Sequence, residues 1–546
     1  MRDQTLAKLY TAVFHDNWNE QAFSDFGGDN STYKEIATTI KSLQLFYHLA
    51  GLQRGDKIAV LGRNSSHWAA TFLSAISAGL VIVPILPDFN NENTNHIINH
   101  SESKIVIAAG NLLEKVDLSV SDHLKVIIKL EDYSFYAGKD KNIEKELKDG
   151  FNHYRINQLN KEDFAFEEWQ PEEMCIISYT SGTSGFTKGV MIPERSLVSN
   201  IIYAREHMPL KAGNKIVSFL PMAHVYGLLF EFLFPVSVGC HITFLSKMPS
   251  PAVITKAFGE IKPHLILSVP LVIEKIYKKR ILPAIEKPAI KFLLKVPLLS
   301  NLILKQIRNK MVETFGGHFF EIVIGGAPLS ADVEKFFKKI NFPFTIGYGM
   351  TECGPLISYE SWDKTMPTSA GRLVDRMEVR IDSEDPQNKV GEIQVKGVNV
   401  MLGYFKNEKE TVAAFTEDGW LKTGDLGVID NNNFIYIRGR SKNMLLGPSG
   451  QNIYPEEIEA KLCNQSYVAE CVVVEREQKL VALVYPDLEL MKADNINEKD
   501  LDIIMDENLK KINSQLPRYE NVSRIDLVNE EFEKTPKRNI RRYKYV

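Results

Sequence analysis

Four short apolar runs rich in β-branched residues recur early in the chain: Lys57-Ile-Ala-Val-Leu61, Leu80-Val-Ile-Val-Pro84, Lys104-Ile-Val-Ile-Ala108 and Lys125-Val-Ile-Ile-Lys129. Between the first two, Trp68 to Ala78 reads as an apolar helix. Strands alternating with helices build βαβ units and a mostly parallel, covered sheet. The rhythm resumes at Met174-Cys-Ile-Ile-Ser178, His264-Leu-Ile-Leu-Ser268 and Phe320-Glu-Ile-Val-Ile324, with Gly, Pro, Ser or Thr following. In such α/β folds ligands gather where strands end in loops. Residues 131–173 are polar and charged with few strand signals, so they read as surface elements or a connector.

From about residue 380 the pattern is strand-rich, with alternation at Val390-Gly-Glu-Ile-Gln-Val-Lys396 and Asn433-Phe-Ile-Tyr-Ile-Arg438. Arg438-Gly-Arg-Ser-Lys442 reads as a junction, and the roughly 100 residues beyond it suffice for a small α+β domain. The expected fold class is therefore α/β, with a large N-terminal domain, 1–440, of packed β-sheets flanked by helices and a small C-terminal domain, 441–546. No repeat of fixed period is present.

Composition narrows the function classes. With 44% hydrophobic and 25% charged residues in 546, the chain is an ordinary globular one, not a disordered or fibrous one. A net charge of −4 gives no case for nucleic-acid binding. Five scattered cysteines without a CxxC pair argue for a reducing compartment, and a zinc site lacks its ligand spacing. The N-terminus has no apolar signal-peptide core. The most membrane-like window, Gly227 to Leu245, contains Glu231, Pro235 and His241 and reads as a buried core segment. The expected location is cytoplasmic.

Five segments carry candidate chemistry. Tyr179-Thr-Ser-Gly-Thr-Ser-Gly-Phe-Thr-Lys-Gly-Val190 follows a strand. Its glycines permit tight turns, and its amides, hydroxyls and Lys188 suit a polyphosphate. It is not a Walker A loop, and a Ser/Gly linker is the bland alternative. Ile324-Gly-Gly-Ala-Pro-Leu329 could let a flat ring approach the backbone, or be a plain strand-to-helix turn. In Gly347-Tyr-Gly-Met-Thr-Glu-Cys-Gly354, Tyr348 could stack on a base, Thr351 bond a phosphate oxygen and Glu352 hold Mg²⁺; a Gly-rich turn with a solvated Glu reads equally well. Asp425, in Trp420-Leu-Lys-Thr-Gly-Asp-Leu-Gly427, could accept ribose hydroxyls or be a turn aspartate. Arg440 and Lys442 place cations at the junction, where solvated surface charge is the default.

In this order and spacing the five motifs resemble the adenylate-forming superfamily of acyl-CoA synthetases, nonribosomal adenylation domains and beetle luciferases. The resemblance runs from Gly55-Asp-Lys-Ile-Ala-Val60 to the C-terminal tail. It implies a large domain, a small mobile C-terminal lid and a site between them. It also implies two half-reactions: a carboxylate attacks the α-phosphate of ATP to give acyl-adenylate and pyrophosphate, then a thiol, usually CoA, displaces AMP. The implied cofactors are ATP, Mg²⁺ and CoA.

By motif position, the resemblance makes Thr180, Ser181, Gly182, Thr183, Ser184, Gly185 and Lys188 the phosphate loop, with Thr187 standing where Pro is common. It sets Gly325, Gly326, Ala327 and Pro328 beside adenine, Tyr348 and Gly349 at the base, Thr351 on the α-phosphate and Glu352 on Mg²⁺. Asp425 and Arg440 would bind ribose, Lys442 would be the pivot, and Ser449 to Pro455 the loop that enters for thioester formation. His224 matches an aromatic position beside the acyl pocket; without the family a core histidine is the better reading.

One departure concerns catalysis. Family members usually end with a KTxxGK-like segment whose last Lys enters the site during adenylation. In Lys534-Thr-Pro-Lys-Arg-Asn-Ile-Arg-Arg542 that position falls on Asn539, which carries no charge. Lys537 or Arg538 could supply it instead, or adenylation is slow or lost.

Two features point to a fatty acid. Leu220 to Gly227 and Gly447 to Ile458 resemble long-chain fatty acyl-CoA synthetase sequence. Residues 275–310 hold ten Lys or Arg and one acid, interleaved with Phe292-Leu-Leu and Leu298 to Leu304, as suits a peripheral contact with an anionic membrane; an amphipathic core helix reads equally well. The expected function is an AMP-forming long-chain fatty acid–CoA ligase. The alternatives are an acyl- or aryl-AMP ligase loading a carrier protein, and an impaired acyl- or nucleotide-binding homologue.

Overall fold

The computed structural model describes residues 4–139, 141–148, 158–181, 187–247, 250–294, 296–446, 451–477, 479–535 and 540–546. An eight-stranded sheet organises the first part. Its order is Gly403–Tyr404, Thr187–Pro193, Met174–Ser181, Val81–Ile85, Lys57–Leu61, Ser103–Ala108, Val126–Lys129, Phe135–Gly138. The five strands from Met174–Ser181 to Val126–Lys129 run parallel to one another. These are the β-branched runs of the sequence, and Val81–Ile85 is buried along its whole length. Continuous burial explains why its residues do not alternate in polarity.

The helix Ser66–Ser77 starts where Ser65 accepts from the Trp68 amide at 3.1 Å, and Trp68 is fully buried beneath it. Burial of a large apolar side chain contributes about 1.5–3 kcal/mol. The window read as a core segment is helical from Val225 to Val238, continues as the strand His241–Phe244, and is buried almost throughout. Among the described residues no helix is long and apolar enough to cross a membrane.

At one end the sheet changes character. Met174–Ser181 is parallel to Val81–Ile85 but pairs antiparallel with Thr187–Pro193, so a hairpin replaces a helical crossover there. A second sheet is parallel throughout: Leu265–Ser268, Glu321–Ile324 and Phe344–Ile346. A third, of Lys215–Ser218, His241–Phe244, Gln21–Asp25 and Asn30–Thr32, joins the N-terminus to the core. Four antiparallel strands follow, Met377–Asp382, Gly391–Gly397, Leu421–Ile429 and Ile435–Arg440.

Two expectations need correction. Residues 131–173 are not merely superficial, because Tyr133, Phe164, Phe166 and Trp169 are buried. Phe164 and Phe166 pack on Phe14 of the first helix, with ring centroids 4.9 and 5.9 Å away. Isolated aromatics in a polar stretch carry no period, so their burial left no pattern to read. The strand expected to end at Arg438 runs on to Arg440, since Arg440 is in register with Asp425; the junction is the short turn Ser441–Asn443.

Beyond that turn the chain buries clusters of its own. Ile458, Leu462, Val473, Ala482, Val484, Leu501 and Ile512 form one core, and Val472, Val474, Val481, Leu483 and Phe532 another on the opposite face of the same strands. These strands are Val468–Arg476, Lys479–Pro486 and Val522–Leu527. Lys278 donates to the Cys463 carbonyl at 2.9 Å and ties this part to the helices before it.

Candidate nucleotide and phosphate site

The motifs of the sequence converge at the ends of these strands. The hairpin register sets Thr180 opposite Lys188 and Ser181 opposite Thr187. Gly182, Thr183, Ser184 and Gly185, between them, lie outside the described residues. Any side chain at Gly189 would have its Cβ 2.8 Å from Ile177 and 3.1 Å from the Tyr179 ring, so the strand after Lys188 requires glycine.

Lys188 is not a free cation. Its ammonium donates to Glu410 and lies 5.0 Å from the centroid of the Tyr404 ring. The Tyr404 hydroxyl in turn donates to Glu352 Oε1 at 2.9 Å. The Met401 amide donates to the Glu352 carbonyl at 2.8 Å, fixing that turn against the segment carrying Tyr404. The Gly-rich turn is thus a held loop whose carboxylate has a defined partner. Thr351 begins its short 3₁₀ turn and is buried.

A second group lies beside the first. Asp425 is in mid-strand and only 4% exposed, which removes the turn-aspartate alternative. It accepts from the Tyr348 hydroxyl at 2.7 Å and is ion-paired with Arg440, whose Nε lies 2.9 Å from Oδ1. Burial pushes the Asp425 carboxyl above its ordinary range, opposed by the Arg440 charge and the Tyr348 hydrogen bond. Arg440 itself keeps an exposed side chain, so it joins a buried carboxylate to open solvent. The charges of Glu352 and Glu456 act on both Asp425 and Arg440, which makes the two groups one electrostatic neighbourhood.

The glycine-rich turn after Glu321–Ile324 closes against the same place. The Gly325 amide donates to the Ser268 carbonyl at 3.1 Å, and the Gly347 amide to Ile324 at 3.0 Å. A Cβ on Gly325 would approach the Tyr226 ring to 3.1 Å. Gly326, Ala327 and Pro328 are exposed beyond the strand end, and the next helix begins at Ala331. Gly326 has φ +85°, a backbone conformation that favours glycine.

Gly349 has a packing reason for its identity. A Cβ there would lie 2.2 Å from the Pro355 carbonyl oxygen, inside the loop that carries Thr351 and Glu352. Gly349→Ala is expected to lower thermal stability by about 1–3 kcal/mol, as overpacking does. Differential scanning calorimetry reads this directly; an unshifted midpoint would show that the loop yields without cost.

His224 immediately precedes the short turn Val225–Gly227 and is partly buried, two residues before the Tyr226 that backs Gly325. Lys442 sits in the junction turn, exposed, with its charge acting on Glu410. Lys537, Arg538 and Asn539 lie outside the described residues, as do Gly447 to Gly450 of the second loop.

Sequence reasoning did not find Tyr404, Glu410 or Glu456. Tyr404 and Glu410 fall in Gly403-Tyr-Phe-Lys-Asn-Glu-Lys-Glu410, which reads as a solvated charge run. Only the pairing of Gly403–Tyr404 with Thr187–Pro193, set by the fold, brings them to Lys188. Glu456 lies in the first turn of the helix Pro455–Leu462 and accepts from Asn443 at 2.5 Å.

With this geometry in place, comparison with known proteins becomes informative. A family model described as AMP-binding enzyme matches residues 12–405. The long-chain-fatty-acid–CoA ligase FadD15 of Mycobacterium bovis is 26% identical, over 99% of this chain and 97% of its own length. ATP-bound MatB from Rhodopseudomonas palustris superposes with a TM-score of 0.76 at 21% identity, covering 99% of this chain and 98% of that one. The O-succinylbenzoate coenzyme A synthetase MenE from Bacillus subtilis, in complex with ATP and magnesium ion, gives 0.74 at 20% identity and 98% coverage of both chains.

Proposed function

From the premise that this chain belongs to the AMP-binding enzyme family and is an AMP-forming acid–thiol ligase, we propose that its acid is a long-chain fatty acid and its thiol CoA. The observation that carries the nucleotide part is the buried Asp425, which accepts from Tyr348 and is ion-paired with Arg440, within reach of the Glu352 charge. This donor set fits a magnesium nucleotide: a carboxylate for a hard cation, two cations for phosphate and ribose, and hydroxyls for both. The resemblance of the whole chain to a long-chain ligase supports the acid.

On this reading the residues divide the work. Lys188 and the loop from Thr180 neutralise the phosphates, and Thr351 donates to the α-phosphate. Asp425 accepts from the ribose hydroxyls and Arg440 holds the same ribose. Tyr348, its hydroxyl pinned by Asp425, presents a ring to the base beside Gly325 to Pro328. Glu352 would hold Mg²⁺, which would supply charge neutralisation on the polyphosphate. A carboxylate is a poor electrophile until adenylation gives it a leaving group. Fixed donors aimed at the charge that develops in that step lower its barrier. Lys537 or Arg538 provides the ammonium or guanidinium that Asn539 lacks, and His224 borders the acyl group.

We also assign 1–440 and 441–546 as the two domains, pivoting at Lys442, a division supported by the separate apolar cores. The reading extends to a cytoplasmic protein resting on an anionic membrane face through 275–310. In that segment Phe292, Leu299 and Leu302 are 70%, 41% and 60% exposed among many lysines.

An acid panel tests the substrate. With ATP, Mg²⁺ and CoA, palmitate is expected to give acyl-CoA faster than octanoate, and benzoate none. Preference for benzoate would replace the fatty acid with an aryl acid. Adenylate formation without CoA consumption would move the acceptor to a carrier protein.

A further inference from the structure

An anionic side chain already faces the lysine on which the polyphosphate is proposed to rest. Lys188 donates to Glu410, whose carboxylate is a chemical counterpart of a phosphate oxygen. Glu410 lies on the helix Glu408–Ala414. Its own amide donates to the Asn407 side chain at 3.2 Å. Thr411 of the same helix accepts from the Tyr404 amide at 2.9 Å. The helix is therefore fastened to the residue whose ring lies beside Lys188 and whose hydroxyl donates to Glu352.

We propose that Glu410 is a built-in competitor of the ATP polyphosphate for Lys188, holding the ammonium in place over Tyr404 until a more highly charged anion displaces it. The proposal rests on the reading of Lys188 as a phosphate ligand. With the Glu410 carboxylate beside it, the Lys188 ammonium offers less net positive charge to a second anion, and the carboxylate repels that anion. The pair is half open to water, with side-chain exposures of 24% for Lys188 and 41% for Glu410. Its attraction is accordingly modest. A magnesium–triphosphate, whose oxygens several groups of the proposed site would hold at once, wins the exchange. The Lys188 hydrogen bond and charge, with smaller contributions from Lys442 and Lys409, hold the Glu410 carboxyl below the ordinary carboxylate range.

Isothermal titration of the full chain with Mg–ATP, in wild type, Glu410→Gln, Lys188→Gln and the double variant, tests this. Glu410→Gln is expected to tighten ATP binding about two- to fivefold, the range of an exposed ion pair. Lys188→Gln is expected to weaken it. In the double variant the Glu410 effect is expected to vanish, because the two residues act on one contact. A merely structural role for Glu410 would give an effect that persists without Lys188. That persistence, or unchanged or weaker binding in Glu410→Gln while Lys188→Gln still weakens it, overturns the competitor role alone. If Lys188→Gln binds ATP as tightly as wild type, the phosphate reading of Lys188 falls, and the competitor with it.

Discussion

Glu352→Gln is expected to slow adenylation by about two to three orders of magnitude, the usual loss when one charge-stabilising group is removed from an acyl-transfer site. The substitution is conservative where it matters for the fold. Tyr404 donates to Glu352 Oε1, and a glutamine oxygen accepts the same bond. The loop backbone is held separately, by the Met401 amide on the Glu352 carbonyl. What is lost is the negative charge, which a hard divalent cation requires. The variant is expected to melt like wild type, to bind ATP without Mg²⁺ as wild type does, and to need far more Mg²⁺ for pyrophosphate release. Wild-type magnesium dependence in the variant would remove Glu352 from the metal role.

Asp425→Ala is expected to fail on both counts, stability and nucleotide binding. Its carboxylate is buried, accepts from the Tyr348 hydroxyl and is ion-paired with Arg440. Without it the buried Tyr348 hydroxyl loses its acceptor, a loss of about 1–3 kcal/mol. The ribose loses its acceptor and Arg440 its orientation, so the KM for ATP is expected to rise about a hundredfold, equivalent to losing one or two charge-assisted hydrogen bonds. Asp425→Asn separates the parts: it keeps an acceptor for Tyr348 and gives up the charge that faces Arg440. It is therefore expected to restore most of the stability and little of the affinity. Thermal melts and ATP titrations of the two variants read these terms apart. An alanine variant with unaltered affinity would show that the ribose is held elsewhere.

Much of this arrangement was legible in the residues, for physical reasons. The parallel core was visible because strands buried on both faces appear as unbroken β-branched runs, as at Val81–Ile85. The loops were visible because glycines and hydroxyls cluster directly after strands, where turns are made. Residues that act through a long-range approach left no local signal. Glu410 is 222 positions from Lys188 and belongs to a helix with no buried side chain. In sequence such a helix is indistinguishable from any solvated one. Asp425 was open between a turn and a ligand because Gly424 precedes it. The ladder with Ile435–Arg440 removes the turn reading, by placing Asp425 in mid-strand opposite Arg440. Phe164 and Phe166 were likewise hidden, since their partners Phe14 and Thr11 are on a helix some 150 residues earlier, at a separation of 155 for Phe166 and Thr11.

The central claim is that these residues activate a fatty acid as its adenylate. Palmitate-dependent exchange of labelled pyrophosphate into ATP isolates that half-reaction, since it needs neither CoA nor movement to the thioester state. Robust exchange with palmitate, weaker exchange with octanoate and none with benzoate is the expected result, with the signal lost in Lys537→Ala if that residue supplies the charge missing at Asn539. Measurable ATP binding without exchange, for every acid offered, would contradict the account and leave the chain a nucleotide-binding member of its family that no longer adenylates.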